Sequence, residues 1–336
     1  MLSFTLWVTN KCNLKCTYCY ENRSVKRNES KRNLQIEEIV AFIKRKSDEY
    51  SREDVYIRFH GGEPLLEYGN IKKYIELIKS EIEERRIFFS MTTNGILLDR
   101  EKAFFLQDNF YDLSISIDGC KVAHDQNRIH ADGTGTYDYI INNLMSSGLN
   151  KRNLRIRMTV TPNNVMYLSE GVHNLINLGF CCIVPAVAIE DQEWDDSKFQ
   201  LLEKELKEIK KEFYHTPNIR IAMIDRSEMR KKAECVGGIK SFNITGNGDI
   251  YPCEYVVDDG NFLLGNIIDT QIDEKKLKEI YNIRKCTICD GCTYGPYCKG
   301  TRCKYINIIN TGDYNIPPCN LCEVENIKYR VYQYEV

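Results

Sequence analysis

Apolar residues in the first two thirds of the chain alternate between two patterns, one typical of buried strands and one typical of helices. Short apolar runs predict six strands, at 2–9, 55–60, 88–93, 113–117, 155–161 and 182–187. Apolar residues three and four positions apart predict helices near 35–50, 71–86, 99–109, 136–150, 167–179 and 198–214. Six strand-then-helix units in series predict an α/β fold, with a parallel sheet and helices outside it.

The number of units favours an incomplete barrel. Six units rather than eight predict a partial (β/α)6 TIM-like barrel, and an open doubly wound sheet is the alternative. After about residue 217 the helical periodicity becomes rare, and 235–322 is rich in Gly, Cys, Asn, Tyr and Pro. Such a region needs cross-links, which metal clusters can supply. We therefore predict a barrel domain at 1–217 and a small Cys-rich α+β domain at 218–336.

Charge and hydropathy exclude several kinds of partner. Lys and Arg number 46 against 48 Asp and Glu, so the net charge of −2 gives no reason to expect nucleic acid or an anionic membrane as partner. No apolar run approaches the roughly 18–20 residues that span a bilayer. The N-terminus lacks the basic start, apolar stretch and cleavage site of a signal peptide. These features predict a cytoplasmic protein.

Cysteine changes the picture, because the 15 cysteines are clustered. In a reducing cytosol, clustered thiols more often hold zinc or iron–sulfur than form disulfides. Cys12, Cys16 and Cys19 form C-x3-C-x2-C just after the first strand. Three thiolates can bind three irons of a [4Fe–4S] cube and leave the fourth open to the amino and carboxylate groups of a small molecule. Zinc, which wants four protein ligands, and incidental thiols are the alternatives.

The ends of four consecutive predicted strands are rich in Gly, Asn, Asp and Glu. They read VTNKC, FHGGEP, MTTNG and ISIDG. In parallel α/β folds, chemistry collects where strands end. These segments therefore predict a rim that faces a ligand.

The segment C-N-L-K-C-T-Y-C-Y, from Cys12 to Tyr20, resembles the radical S-adenosylmethionine (SAM) superfamily. GGEP, TNG, SIDG and the run HDQNR at 124–128 extend the resemblance. It implies a SAM-binding [4Fe–4S] cluster on Cys12, Cys16 and Cys19, with Tyr18 beside the adenine. Ser116 and Arg128 would bind the methionine moiety of SAM. The alternatives are that Ser116 caps a helix and that Arg128 is a solvated surface residue. The implied SAM-binding residues are Tyr18, Gly61, Gly62, Glu63, Pro64, Asn94, Ser116 and Arg128.

The C-terminal cysteines resemble the SPASM domain, an appendage of radical SAM enzymes that binds auxiliary [4Fe–4S] clusters. One departure is the four residues, not three, between Cys298 and Cys303. The resemblance implies an outer cluster on Cys289, Cys292, Cys298 and Cys319, with Cys322 competing for the last place. It implies an inner cluster on Cys235, Cys253 and Cys303. Cys286 is a candidate fourth ligand there, and an open iron that binds a substrate thiolate is the alternative. A zinc ribbon is the alternative for the whole segment.

Together the two resemblances imply a radical SAM oxidoreductase that takes a substrate hydrogen through a 5′-deoxyadenosyl radical. The leading interpretation is a maturase that forms a thioether or other side-chain cross-link in a ribosomally made peptide. Glu254 would be a base, and a solvated glutamate is the alternative. The implied partners are a peptide or protein substrate, a reductant such as flavodoxin or ferredoxin, and a separate leader-recognition protein. The alternatives are an anaerobic sulfatase-maturating enzyme that forms formylglycine, and a non-catalytic iron–sulfur electron carrier.

Overall fold

One sheet of ten strands organises the computed structural model, which describes residues 1–19, 35–82, 87–225, 229–269, 272–282, 288–300 and 302–335. The order is β10-β9-β8-β1-β2-β3-β4-β5-β6-β7. Strands from β8 across to β7 are parallel, and β9 and β10 are antiparallel to their neighbours. The strands are β1 (Leu2–Thr9), β2 (Val55–Gly61), β3 (Ile87–Thr93), β4 (Phe110–Ser116), β5 (Leu154–Val160), β6 (Cys182–Val187), β7 (Arg220–Ile221), β8 (Ser241–Ile244), β9 (Asp249–Tyr251) and β10 (Gly265–Asn266).

Ten α-helices accompany the sheet in the described residues. They are α1 (Ile36–Glu49), α2 (Tyr68–Glu81), α3 (Arg100–Asn109), α4 (Lys121–Asp125), α5 (Tyr137–Ser147), α6 (Leu168–Asn177), α7 (Asp196–Phe213), α8 (Glu274–Asn282), α9 (Lys304–Thr311) and α10 (Cys319–Gln333). The predicted α/β fold with six strand-then-helix units is confirmed, and the sheet is open rather than closed. No helix in the described ranges combines the length and apolar character of a membrane span.

The two faces of the sheet differ in polarity. On β2, Ile57 and Phe59 are buried in the main hydrophobic core, whereas Arg58 between them is exposed. Phe4 of β1 stacks on Phe242 of β8 at 5.7 Å between ring centroids, in the same core. Alternate side chains of a strand point to opposite faces, so the helices cover the apolar face. We call the opposite, polar face the inner face.

Strand register assigns further residues to the inner face. Arg58 pairs with Ser90, Ser90 with Asp112, Ser114 with Arg155, and Arg155 with Cys182. Residues in register on neighbouring strands share a face, as do residues two positions apart on one strand. The inner face of the described strands therefore includes Thr5, Tyr56, Arg58, Phe88, Ser90, Asp112, Ser114, Ser116, Arg155, Arg157, Cys182 and Arg220.

The predicted boundary near residue 217 stays a prediction. β8 lies beyond that point, yet it pairs in parallel with β1, from Ser3 opposite Ser241 to Leu6 opposite Ile244. The last helix, α10, also returns to the first part of the chain and packs on α7. The C-terminal third therefore extends the sheet at one side and supports a helix layer at the other.

Candidate active site

The loop that follows β1 lies directly against the turn that ends β2. Gly62 N donates to Thr9 O at 3.0 Å, and Glu63 N donates to Lys11 O at 2.8 Å. Gly61 has φ +138°, and a Cβ at Gly61 or Gly62 would lie 2.0 Å from Thr9 O or 2.2 Å from Lys11 O. Both positions therefore require glycine, because no side chain fits between the two backbones.

The carboxylate of Glu63 organises the ends of β2 and β3. It is 1% exposed and accepts hydrogen bonds from Leu65 N at 3.0 Å, Thr93 Oγ1 at 2.6 Å and Asn94 N at 2.8 Å. Burial raises the pKa of Glu63, and the three donors oppose that rise. The side chain of Asn94 donates to Asn13 Oδ1 at 2.8 Å. Glu63 and Asn94 therefore connect the GGEP and TNG turns to the cysteine loop.

The HDQNR run and Ile129, which follows it, form the other support of the cysteine loop. Lys15 N donates to Ile129 O at 2.8 Å, and Thr17 N donates to Asn127 O at 2.9 Å. The hydroxyl of Thr17 also donates to Asn127 Oδ1 at 2.7 Å. The loop that carries Cys12, Cys16 and Cys19 is therefore fixed on both sides by segments that the sequence had singled out.

Tyr18, Asp118 and Arg128 form a buried hydrogen-bond network under the loop. The hydroxyl of Tyr18 donates to Asp118 Oδ2 at 2.7 Å and accepts from Arg128 Nη1 at 2.7 Å. Burial raises the pKa of Asp118, although the guanidinium of Arg128 and the hydroxyl of Tyr18 oppose that rise. Arg128 Nε is buried and has no hydrogen-bond partner among the described residues. Such an atom fits an acceptor that a bound ligand brings, such as a carboxylate.

Asp118 is a site residue that was missing from the predicted set. It lies in the quoted SIDG segment, but the pattern gave no partner for its side chain. Its Oδ1 accepts from Thr159 N at 2.8 Å, and its backbone N lies 3.2 Å from His124 Nδ1. The role of Asp118 depends on Tyr18 and on β5, which are distant in sequence. Ser116, predicted to bind SAM, lies on the inner face in register with Arg157.

The three loop cysteines differ in exposure: Cys12 is exposed, and Cys16 and Cys19 are half-buried. Burial raises the pKa of Cys16 to about 11, so its thiolate needs a cationic partner. A structural zinc site takes four protein ligands, whereas this loop supplies three thiols. Ligands of a cube bind separate irons and need not converge on one point, unlike those of zinc. The donor set therefore fits a [4Fe–4S] cluster better than zinc.

Three C-terminal thiols, those of Cys235, Cys253 and Cys303, lie close enough to affect one another electrostatically. Burial raises the pKa of Cys253 well above its usual range, and negative charge on Glu254, Cys303 and Cys235 adds to that rise. Cys235 and Cys253 pack against a hydrophobic cluster that includes Trp7 of β1. The predicted inner set is therefore brought together beside the first strand of the sheet.

The predicted outer set lies along the segment that leads into α10. Cys292 N donates to Cys289 O at 3.1 Å, and the buried Cys298 accepts at Sγ from Gly300 N at 3.2 Å. Cys319 is exposed at the start of α10, and Cys322 is half-buried one turn later. The choice between those two stays a prediction. Cys286 lies outside the described residues.

Glu254, the predicted base, faces the sheet. It directly follows Cys253, its side chain is 33% exposed, and its Oε2 lies 3.3 Å from Nη1 of Arg58. Arg58 belongs to the inner face of β2. The pair therefore connects the surroundings of the inner cysteine set to the interior of the open sheet.

We predict that Tyr18→Phe destabilises the protein by about 2 kcal/mol, because the buried Asp118 and Arg128 both lose their shared hydroxyl partner. Urea unfolding monitored by circular dichroism measures the change. Tyr139→Phe is the matched control, because the ring of Tyr139 is 61% exposed on α5. Equal stability of the two variants would show that the network contributes nothing to stability.

Comparison with known proteins agrees with this geometry. Residues 7–166 match the model of the Radical SAM superfamily. The chain is 24% identical to a cysteine-type anaerobic sulfatase-maturating enzyme of Clostridium novyi (strain NT), over 87% of this chain and 84% of that protein. It is 28% identical to the radical SAM cyclopropyl synthase TigE of Paramaledivibacter caminithermalis, over 44% of this chain and 32% of that protein.

The fold also matches a solved structure. Native anSMEcpe with bound AdoMet and Kp18Cys peptide superposes with a TM-score of 0.79 at 22% identity. The match covers 98% of this chain and 96% of that chain. The two chains therefore share a fold over nearly their whole lengths.

Proposed function

Residues 7–166 match the model of the Radical SAM superfamily, and from this match we propose that the protein is an enzyme that modifies a ribosomally made peptide. The modification is a thioether or another side-chain cross-link. The observation that carries the proposal is the cysteine loop held between the GGEP turn and the HDQNR segment. An iron–sulfur electron carrier binds no cosubstrate. It would therefore not need a cysteine loop that is fixed against both the GGEP turn and the HDQNR segment.

Cys12, Cys16 and Cys19 would hold the cluster that binds SAM. The glycine turn at 61–62, together with Glu63, Ser116 and the unpartnered Nε of Arg128, would receive the methionyl group. When bound, SAM and its cluster supply one-electron cleavage of the sulfonium and abstraction of a substrate hydrogen. Flavodoxin or ferredoxin would be the reductant. Cys235, Cys253 and Cys303, and the outer set at 289–322, would hold two auxiliary clusters in a SPASM domain.

The protein's own residues position the groups that react. The three hydrogen bonds to Glu63 fix the turn, and the bond from Asn94 to Asn13 fixes the cysteine loop relative to it. Such positioning holds the reacting atoms close and oriented. Glu254 would take a substrate proton, because its carboxylate lies between Cys253 and the inner face.

A second candidate function is the oxidation of a protein cysteine to formylglycine. The similarity to a cysteine-type anaerobic sulfatase-maturating enzyme extends over 87% of this chain, and the shorter match to a cyclopropyl synthase covers 44%. Both candidates use a peptide segment as substrate and need the same SAM site. They differ in the product: a cross-linked side chain in one, an aldehyde in the other.

Anaerobic reconstitution followed by incubation with SAM and dithionite tests the enzyme. We expect 5′-deoxyadenosine, detected by chromatography, and its absence from fully reconstituted protein would sink the radical SAM reaction. Mass spectrometry of a candidate peptide then separates the functions. Loss of a pair of hydrogens with a cross-link supports the maturase, whereas conversion of a thiol to an aldehyde supports formylglycine formation.

We predict that the triple variant Cys12→Ala, Cys16→Ala and Cys19→Ala loses about four irons per chain, one cube's worth, and forms no 5′-deoxyadenosine. Iron analysis and chromatography measure the two losses. Cys181→Ala is the control, because that thiol lies outside the three predicted cysteine sets and should leave the iron content unchanged. An unchanged iron content in the triple variant would contradict the assignment of the loop as a cluster site.

A further inference from the structure

Four arginines share the inner face of the sheet. Arg58 is on β2, Arg155 and Arg157 are two positions apart on β5, and Arg220 is on β7. The register confirms the common face for the last strands, because Arg155 pairs with Cys182 and Cys182 pairs with Arg220. We call Arg155, Arg157 and Arg220 the arginine row. The corresponding face of a closed barrel is filled by packed apolar side chains. Here the sheet is open and the face carries guanidinium groups instead, so it can meet a polar ligand.

Only part of this positive charge is compensated by the described protein. Arg58 pairs with Glu254 at 3.3 Å, and Arg155 pairs with Asp112 at 2.5 Å. The side chains of Arg157 and Arg220 make no ion pair or hydrogen bond with described residues, and both are exposed. Two guanidinium groups on one face, each without an acceptor, form a positive surface that attracts an anion.

A cavity of about 410 Å³ continues the arginine row to the edge of the sheet where β4 to β7 begin. Asp112, Arg155, Cys182 and Arg220 of the inner face line it, together with Arg152 from the turn before β5. This edge is opposite the one that carries the cysteine loop. The cavity therefore belongs to the far end of the inner face and not to the predicted SAM site.

An aromatic surface lies across the sheet from the arginine row. The rings of Tyr56 and Phe88 on the inner face stack at 4.7 Å, and Tyr111, which is 72% exposed, meets Phe88 edge-to-face at 5.0 Å. Exposed aromatic rings offer apolar area at low entropic cost. Aromatic rings on one side and guanidinium groups on the other suit an extended peptide that carries both apolar and acidic side chains.

We propose that the arginine row binds carboxylate side chains of the substrate, so that the enzyme acts on an acidic peptide. Guanidinium groups recognise carboxylates through paired N–H donors, and two such groups without a protein acceptor would be neutralised by two acidic residues of the peptide. The inference rests on the proposed function, which has a peptide as substrate, and adds that this peptide is negatively charged. Arg157, which is level with Ser116, would bind the acidic residue nearer the reacting position.

Fluorescence anisotropy with a matched pair of labelled peptides tests this inference. Both are extended Cys-containing peptides of roughly ten residues, one with Glu at several positions and one with Gln at the same positions. The unmodified protein should bind the Glu peptide about tenfold more tightly than the Gln peptide, with a preference that falls as the salt concentration rises.

Arg157→Gln and Arg220→Gln should each weaken binding of the Glu peptide between about threefold and tenfold and hardly affect binding of the Gln peptide. Arg100→Gln, on the outer surface of α3, removes the same charge and should change neither affinity.

Several results would overturn the proposal. Equal binding of the Glu and Gln peptides by the unmodified protein contradicts the proposal, and this result needs no variant. Loss of SAM retention in Arg157→Gln with peptide affinity intact would assign that residue to the cosubstrate. Displacement of the Glu peptide by micromolar inorganic phosphate, with no Glu preference, would indicate a phosphate ligand instead. Formation of 5′-deoxyadenosine by the unmodified protein is measured in parallel, so that failure of the proposed function is recognised separately.

Discussion

Gly62→Ala is expected to reduce 5′-deoxyadenosine formation by about 10²-fold or more, because a displacement of about 1 Å at a reacting centre has that effect. The added Cβ would lie 2.2 Å from Lys11 O and 3.0 Å from Cys12 N, so the backbone next to a predicted iron ligand must move. The obstructing atoms belong to backbone and cannot rotate away. The same movement would break the bond from Glu63 N to Lys11 O, and with it the connection between the turn and the loop.

The reconstituted variant is assayed for 5′-deoxyadenosine and for iron content. Gly69→Ala is the matched control, because it lies in α2, has no atom from outside its own helix turn within 4 Å of the added Cβ, and should be neutral or slightly stabilising. Full activity in Gly62→Ala would show that the loop need not lie against the glycine turn. The cosubstrate site would then have to be built from other contacts.

The sequence was most informative where a residue's role is local. The predicted bounds of β1 and β6 agree with the structure, because each strand is a short run rich in apolar residues. β4 begins three residues earlier than predicted, at Phe110, because it follows α3 without a loop. The strands from β7 to β10 have two to four residues, which is too short for an alternating pattern to be recognised. GGEP was recognisable because its two adjacent glycines are required where the turn lies against the backbone of the cysteine loop.

Roles that depend on distant segments were not predictable. Asp118 acquires its function from Tyr18 and Arg128, and Arg58 acquires its partner Glu254 from the C-terminal third. The arginine row exists only because register aligns Arg155 with Arg220 through Cys182. A single sequence gives spacing along one strand, whereas the shared face depends on which strands are neighbours.

Lys210 is a buried residue that no sequence pattern had singled out, and it fixes the last helix of the chain. Its side chain extends from α7, is 3% exposed, and donates from Nζ to Val331 O at 3.0 Å, Tyr332 O at 2.8 Å and Tyr334 O at 2.6 Å. The last carbonyls of a helix have no partner within the helix, and a cation there also interacts favourably with the helix dipole. One ammonium therefore satisfies three acceptors at the end of α10.

At its other end, α10 is fixed by a side chain of its first turn. Asn320 donates from Nδ2 to Ile189 O at 2.9 Å and to Asp191 O at 3.2 Å, in the segment that follows β6. Between these two attachments α10 carries Cys322, and it begins at Cys319. The helix therefore connects the predicted outer cysteine set to α7 and to the segment after β6 through contacts at both ends.

Lys210→Met should destabilise the protein by about 2–4 kcal/mol, because methionine has a similar length but removes the three hydrogen bonds that the Lys210 ammonium donates at the end of α10. Urea unfolding measures the stability, and iron analysis should show partial loss of the outer cluster, since α10 would no longer hold Cys319 and Cys322 in place. Lys211→Met is the matched control: its pair with Glu208 is exposed to solvent, and removing it should change stability little. If Lys210→Met were as stable as that control, α10 would be held by its apolar packing on α7 alone. A normal iron content despite the expected loss of stability would instead show that the outer cysteines do not depend on the position of the helix.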